Sequence, residues 1–218
     1  MTIPLEELLA RNRAWSEKER QADPEYFSRL VAQQNPEFLW IGCADSRVPA
    51  NEIIGLAPGE VFVHRNVANV VAHTDLNCLS VMQYAVDVLK VKHILVVGHY
   101  GCGGVRAALT DTRVGLADNW LRHVQDVRDK YRAWLRGIDD MDIRADRLCE
   151  LNVVEQALNV SESTVVRDAW ARGQEVVVHG WIYGLADGLV RELGADMCRD
   201  EEAFDAYESA VSRIMQRG

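Results

Sequence analysis

Two short, uninterrupted apolar segments constrain the fold more than any other feature of the sequence. They cover residues 37–43 and 93–99. A strand with one wet face alternates apolar and polar residues, so continuous runs of this length indicate strands that are buried on both faces. Segments with helical spacing of apolar residues separate and follow them. Strands that alternate with helices predict an α/β fold with a parallel sheet.

The remaining segments extend this pattern. Further strands are predicted over residues 59–65 and 174–181, and helices near residues 102–110, 115–135, 142–158 and 162–172. We therefore predict a central, mostly parallel sheet of four or five strands flanked by helices. Another helix is predicted over residues 74–89, and its inward-facing residues are expected to be Leu76, Leu79, Met82, Ala85, Val86 and Leu89.

Helices are also predicted at both ends of the chain. The first opens near Thr2 and Pro4, the second begins at Asp23 and Pro24, and Asp200 is expected to cap the last. The inward stripe of the last helix is expected to be Phe204, Tyr207, Val211 and Ile214.

No linker or repeat interrupts the sequence, so we predict one domain over residues 1–218. Its parts are expected to be a helical arm (1–35), an α/β core (36–183) and a C-terminal extension (184–218).

Composition and charge disfavour several classes of protein. The chain has 218 residues, 48% of them hydrophobic and 26% charged, which is typical of a folded protein. The net charge of −9 would repel a phosphate backbone, so we expect no nucleic-acid partner. No segment approaches the ~18 apolar residues of a membrane span, and the start lacks the pattern of a signal peptide. With five cysteines expected to be reduced, we predict a cytoplasmic protein without a membrane partner.

Residues that can ligate a metal follow both apolar segments. Cys43 ends the first segment, His99 ends the second, and Cys102 comes three residues later. Open parallel sheets bind ligands at the carboxyl ends of their strands. If these ends lie close together, two thiolates and one imidazole converge. Three such ligands suit Zn²⁺ and leave a fourth tetrahedral position open, as in catalytic zinc sites.

Asp45 and Arg47 follow Cys43 closely and suggest how such a site would work. Two thiolates cancel the charge of zinc and weaken it as a Lewis acid, so the bound water needs help to ionise. An ionised Asp45 can accept a hydrogen bond from that water, while Arg47 orients the carboxylate and lowers its pKa. Without Arg47, the carboxylate could itself bind the metal and close the site.

Spacing and chemistry disfavour some other functions of these residues and leave others open. A cysteine phosphatase loop needs five residues between cysteine and arginine, but Cys43 and Arg47 enclose three. The segment 103–105 lacks the lysine of a Walker loop. A thiol redox or transfer enzyme with a Cys43 nucleophile, and cysteines that are merely buried beside a loop ion pair, stay open. So does a non-catalytic zinc protein that senses bicarbonate, with Asp45 as a permanent ligand.

The sequence from about Trp15 to Leu193 resembles the beta class of carbonic anhydrases, and its bacterial members in particular. Residues 43–49, 64–69 and 98–104 carry the resemblance, with the sequences CADSRVP, HRNVAN and GHYGCGG. The resemblance implies reversible hydration of carbon dioxide to bicarbonate, with zinc hydroxide as the nucleophile. It also implies that each chain binds one zinc ion through Cys43, His99 and Cys102, with Asp45 and Arg47 as an orienting pair.

The resemblance further implies a substrate pocket and an assembly. The Gly103 amide and the Gln34 side chain would hold substrate, and Phe62, Val67 and Tyr84 would line the apolar part of the pocket across a dimer interface. Core packing could equally explain these three apolar residues. The family is dimeric or larger, so we expect a homodimer or homotetramer whose N-terminal helices clasp a neighbouring subunit.

A subgroup of the family is held inactive by bicarbonate near the metal. Trp40, Arg65 and Tyr183 match its three anion-binding residues, although Trp40 and Tyr183 could simply pack in the core. The hypothesis is that bicarbonate draws Arg47 away from Asp45, which then takes the fourth zinc position, so that activity rises cooperatively with pH. A carbon disulfide hydrolase on the same scaffold also stays open.

Overall fold

A computed structural model describes residues 3–32 and 34–217. Thr2, predicted to open the first helix, lies outside the described residues. The chain forms two compact units, Met1–Asn35 and Pro36–Gly218. The predicted division into arm, core and extension stays a prediction.

The first unit is a pair of helices, α1 (Leu5–Ala22) and α2 (Tyr26–Ala32). Trp15 of α1 meets the rings of Tyr26 and Phe27 edge to face, with centroids 6.4 and 5.6 Å away. None of the described residues of these two helices is buried. Aromatic contacts therefore join the two helices, while several apolar residues, among them Leu5, Leu9 and Val31, are exposed.

The second unit is built around a five-stranded sheet in the order β2-β1-β3-β4-β5. The first four strands of the chain are parallel, and β5 is antiparallel to β4. The predicted mostly parallel sheet is confirmed. Its strands are β1 (Phe38–Cys43), β2 (Val61–Asn66), β3 (His93–His99), β4 (Val177–Tyr183) and β5 (Val190–Glu192).

Helices cover the sheet, and among the described residues none is long and apolar enough to cross a bilayer. Short 3-10 and π-helical turns at Val67–Asn69 and Tyr84–Val88 interrupt the connections. The helices of this unit are α3 (Ala50–Ile54), α4 (Leu76–Gln83), α5 (Gly103–Thr110), α6 (Ala117–Lys130), α7 (Arg132–Leu135), α8 (Met141–Ser161), α9 (Thr164–Ala171) and α10 (Asp200–Met215).

Two apolar clusters lie in this unit. The larger contains Leu39, Ile94 and most of the second half of α8, which packs against β3 and β4. The smaller contains Trp40 and Leu95, the neighbours of those residues along β1 and β3. Alternation along each strand sends successive side chains to opposite faces, so β1 and β3 are buried on both, as their continuous apolar sequences predict.

Several helix predictions were wrong in detail. Residues 74–89 form α4 and a π-helical turn, and 78% of Leu76 is exposed because the buried stripe passes through Cys78 and Met82. Leu76 precedes Cys78 by two residues, which turns it about 200° around the helix. The segment predicted as one helix over 115–135 breaks at Tyr131 into α6 and α7.

The start of the last helix also differs from the prediction. Asp200 is the first residue of α10 and makes no cap, because its carboxylate accepts a hydrogen bond from the Arg167 side chain at 2.8 Å. Phe204, expected to face inward, is 54% exposed, whereas Tyr207 and Ile214 are buried as predicted.

Close packing of α8 on β3 requires glycine at residue 98. A Cβ atom at Gly98 would lie 2.5 Å from Cγ2 of Val153, whereas one at Gly103 would meet nothing within 4 Å. We expect Gly98→Ala to lower the free energy of unfolding by about 1–3 kcal/mol through overpacking. Gly103→Ala should change it by less than about 0.5 kcal/mol. Urea denaturation followed by circular dichroism measures both, and equal stabilities would contradict this account of the packing.

Candidate metal centre

The structure brings the three predicted metal ligands together. Cys43 and His99 are the last residues of β1 and β3, which pair in parallel, so both side chains reach the same edge of the sheet. The chain then turns at Gly101, with φ of +67°, and presents Cys102 immediately before α5. The ligand atoms all lie within 4.8 Å of one another, and the two sulfurs are 3.9 Å apart.

The donor set fits a zinc ion. All three residues are buried, and His99 Nε2 has no hydrogen-bond partner. His99 Nδ1 lies 3.0 Å from the Tyr100 carbonyl oxygen, which can only accept, so Nδ1 carries the proton and the Nε2 lone pair is left for a metal. A buried polar atom without a partner costs about 1–3 kcal/mol, a cost that a metal bond would remove. Sulfur and imidazole nitrogen are ligands that zinc prefers.

The two thiols have unequal proton affinities. A hydrogen bond from Cys102 lowers the pKa of the Cys43 thiol, and His99 and the backbone near Asp45 and Ala68 lower it further, against the opposing effect of burial. The same hydrogen bond and burial raise the pKa of Cys102. The Cys43 thiol therefore loses its proton more readily than the Cys102 thiol.

Asp45 and Arg47 form a two-point ion pair beside this cluster. Arg47 Nε donates to Oδ1 at 2.9 Å and Nη2 donates to Oδ2 at 2.7 Å, while the Arg47 backbone N–H also donates to Oδ1. The guanidinium holds the pKa of the carboxyl well below its usual range. Oδ2 lies 3.7 Å from His99 Nε2. An ionised carboxylate is thus fixed next to the position that a metal would occupy.

A strained turn also supports Cys43, and sequence reasoning missed it. Ala68 has φ of +64°, which is unfavourable for a residue with a Cβ atom, and its amide lies against the Cys43 thiol. From α8, Asn152 donates to the Ala68 carbonyl at 2.9 Å, and Gln156 bonds the Asn152 side chain. The signal in the sequence that could have indicated this support is the pair of amides Asn152 and Gln156, which lie in a helical segment that is otherwise largely apolar.

Two of the predicted substrate residues, Phe62 and Tyr84, lie side by side. The rings of Phe62 and Tyr84 are 5.8 Å apart, and Tyr84 and Val67 are 44% and 42% exposed. Gly103 begins α5 directly after Cys102. Gln34 is an exposed residue of the first unit. The roles of these residues in substrate binding stay predictions.

The three predicted anion-binding residues do not bind one another in this structure. Trp40 and Tyr183 belong to the smaller apolar cluster, whereas the Arg65 guanidinium donates to the carbonyls of Cys43 and Asp45. Within the described part of the chain, no hydrogen bond joins the three side chains. The Trp40 indole N–H is buried without a partner.

The fold and the site define an α/β metalloprotein with two cysteines and one histidine as ligands, and comparisons with known proteins identify its family. The carbonic anhydrase family model matches residues 38–190. A carbonic anhydrase of Emericella nidulans is 52% identical over 185 residues, which are 85% of this chain and 81% of that protein.

Solved structures give the same result. The Coccomyxa beta-carbonic anhydrase in complex with acetazolamide is 46% identical, with a TM-score of 0.88 over 94% of this chain and 92% of its own. A tetrameric beta-carbonic anhydrase of Sordaria macrospora is 41% identical, with a TM-score of 0.84 over 88% of this chain and 98% of its own. The chain belongs to the carbonic anhydrase family, and within it to the beta class.

This result confirms the family resemblance and the zinc cofactor, and it disfavours a thiol enzyme with a metal-free Cys43 nucleophile. The two cysteines are likewise more than isolated buried hydrophobes, because they lie side by side with His99. A bacterial source stays a prediction, since the relatives named above include proteins from Emericella nidulans and the ascomycete Sordaria macrospora.

Metal analysis tests the three-ligand site. We expect one zinc ion per chain in the parent protein and a loss of zinc affinity in Cys102→Ser that exceeds the ~10–100-fold cost of losing an outer partner of a ligand. Cys198→Ser is the matched control, because Cys198 is exposed and outside the cluster. It should retain one zinc per chain. Equal zinc content in both variants would contradict the assignment of Cys102.

Proposed function

We propose that the chain catalyses the zinc-dependent, reversible hydration of carbon dioxide to bicarbonate and a proton. The observation that carries this proposal is the cluster of Cys43, His99 and Cys102 with the Asp45 carboxylate 3.7 Å from His99 Nε2. Family membership supports the same reaction. Three ligands leave one of the four positions that zinc usually fills, which a catalytic site needs.

When bound, zinc would acidify a water molecule so that it can attack carbon dioxide near neutral pH. The protein would control the direction of that attack. An ionised carboxylate only accepts hydrogen bonds, so a water beside Asp45 must point an O–H bond at it and turn a lone pair elsewhere. Arg47 keeps Asp45 ionised and fixed through two hydrogen bonds.

Asp45 would orient the water rather than store the released proton. Arg47 lowers the pKa of Asp45, so the carboxylate stays ionised at neutral pH and does not retain a proton there. The proton that balances bicarbonate must therefore pass to solvent. The side chain of Arg47 is 58% exposed, so the ion pair lies at the solvent boundary.

Stopped-flow hydration of carbon dioxide with a pH indicator tests the activity. We expect Asp45→Asn to lower kcat/KM by about 10²-fold or more, because an amide can present a donor where the water needs an acceptor. Asp129→Asn is the matched control, since Asp129 also pairs with an arginine but lies at the end of α6. It should keep the parent rate.

A parent rate no faster than buffer throughout alkaline pH would refute the proposed function. Bound zinc without hydration of carbon dioxide would favour a non-catalytic zinc protein or a carbon disulfide hydrolase.

We further propose regulation by bicarbonate at Trp40, Arg65 and Tyr183. A fully buried indole N–H without a partner supports this, because such a group can donate to an anion. The Trp40 ring lies over Gly42, so that a Cβ atom there would be 2.1 Å from Nε1. Gly42 pairs in register with Arg65 on β2, which brings the indole beside the strand that carries this cation.

A bicarbonate ion bound at these residues would act on Asp45 through Arg65 and Arg47. Arg65 holds the carbonyl groups of Cys43 and Asp45, and Arg47 holds the Asp45 carboxylate. In the proposed inactive state, bicarbonate would draw Arg47 away, and the Asp45 carboxylate would join Cys43, His99 and Cys102 in holding the zinc ion. The Arg47 side chain is 58% exposed, so an anion from solvent can approach its guanidinium and compete with the Asp45 carboxylate for it.

Inhibition by added bicarbonate tests this regulation. We expect Trp40→Phe, which keeps most of the packing and removes the N–H donor, to weaken the inhibition and to flatten the rise of activity with pH. Trp170→Phe is the control, because its indole bonds the Val176 carbonyl in a different part of the fold. A pH profile of Trp40→Phe as steep as that of the parent would contradict the proposal.

We propose that the chain assembles as a homodimer or homotetramer. The tetrameric state of the Sordaria protein supports this, as does the exposure of the apolar residues Val67 and Tyr84. A cytoplasmic location is part of the same proposal, and all five cysteines being free agrees with a reducing compartment.

A further inference from the structure

We infer that Tyr100 and Glu150 are positioning residues, which hold the His99 imidazole in its metal-binding orientation. Neither residue contributes a ligand atom to the cluster, and both act through the backbone carbonyl that His99 contacts. The inference rests on the proposed role of His99 as a zinc ligand and adds the means by which the protein orients it.

The orientation of His99 depends on the Tyr100 carbonyl. That oxygen accepts the Nδ1–H of His99 at 3.0 Å, which fixes both the tautomer and the rotation of the ring. Tyr100 is itself held at two points. Its backbone N–H donates to the Tyr183 carbonyl at 3.0 Å, and its hydroxyl donates to Glu150 at 2.5 Å. The carbonyl between these two anchors therefore has little freedom to rotate.

Glu150 is a rigid acceptor for this hydroxyl. Its side chain is fully buried in α8, and both carboxylate oxygens accept from Arg147 Nη1, at 3.0 and 3.1 Å. Arg147 also donates to the Arg217 carbonyl at 2.9 Å. A buried carboxylate is costly unless it is paired and hydrogen-bonded, so these contacts fix Glu150 in place. Burial and Glu150 raise the pKa of Tyr100, which stays a hydroxyl donor.

The same face of α8 contacts the rest of the ligand-bearing turn. The Asp146 carboxylate lies against the Gly101 amide, and the Cys149 thiol against the Cys102 amide. Cys149 and Glu150 follow Asp146 by three and four residues, so each of them neighbours Asp146 on the helix surface. Residues 100–102 thus each contact α8, and the Tyr100 hydroxyl joins this segment to the buried Glu150 carboxylate.

Removal of the Tyr100 hydroxyl tests its hydrogen bond to Glu150 directly. We expect Tyr100→Phe to release zinc into excess chelator about 10 times faster than the parent, the lower end of the ~10–100-fold cost of losing an outer partner, because the Tyr100 carbonyl that contacts His99 is retained. The matched control is Tyr131→Phe. Tyr131 donates its hydroxyl at 2.7 Å to Glu155, another glutamate of α8, and does not contact the ligand-bearing turn. This variant should release zinc at the parent rate.

A spectroscopic measurement separates positioning from general stability. In the cobalt-substituted protein, we expect Tyr100→Phe to change the visible d–d bands, which report the geometry of the ligands, and Tyr131→Phe to leave them unchanged. If both variants lower Tm alike and keep the parent spectrum and release rate, the inference is wrong. If Tyr100→Phe does not fold, Glu150→Leu takes its place, because leucine removes both acceptor oxygens. The same faster release is expected, and an unchanged release again overturns the inference.

Zinc content of the parent distinguishes this inference from the proposed function. A parent chain without zinc would overturn the metal site itself. A parent chain with one zinc that Tyr100→Phe releases no faster would overturn only the role of Tyr100 and Glu150.

Discussion

The pairing of β1 with β3 determines where chemistry can occur in this protein. The two strands are parallel, and their register from Phe38 with His93 to Gly42 with Val97 brings Cys43 and His99 to one edge of the sheet. A slip of one residue would move every side chain to the opposite face. Since both faces of these strands are buried, the packing energy that stabilises the sheet also fixes the two ligands.

Helix α8 combines core packing with the orientation of the site. Glu150, Asn152 and Gln156 are buried polar residues in a helix that is otherwise largely apolar along this stretch. Such groups destabilise a core unless they are hydrogen-bonded, and here each one has a partner. Those partners hold two turns, at Ala68 and at Tyr100, which carry or contact the metal ligands. Their net effect is therefore on geometry more than on stability.

The sequence predicts the sheet and the ligand trio because both depend on local patterns. Continuous apolar segments indicate buried strands, and Cys43 and His99 are the last residues of two of these strands. The exposed positions of Leu76 and Phe204 were mispredicted because a helix with several apolar residues offers more than one candidate stripe. The contact between Tyr100 and Glu150 was not predictable from spacing, since it depends on how closely α8 approaches the turn after β3.

Under the proposed regulation, the ion pair of Asp45 and Arg47 would make the site both active and controllable. One carboxylate lies within reach of a guanidinium and of the ligand cluster, so it has two alternative partners. A regulator shifts such an equilibrium only by its difference in affinity for the two states, and each tenfold difference contributes about 1.4 kcal/mol. Under the proposed regulation, the partly exposed ion pair is the weaker constraint and the buried ligand trio the stronger one. Such a switch would operate without loss of the metal, because only Arg47 and Asp45 would have to move while Cys43, His99 and Cys102 stay in place.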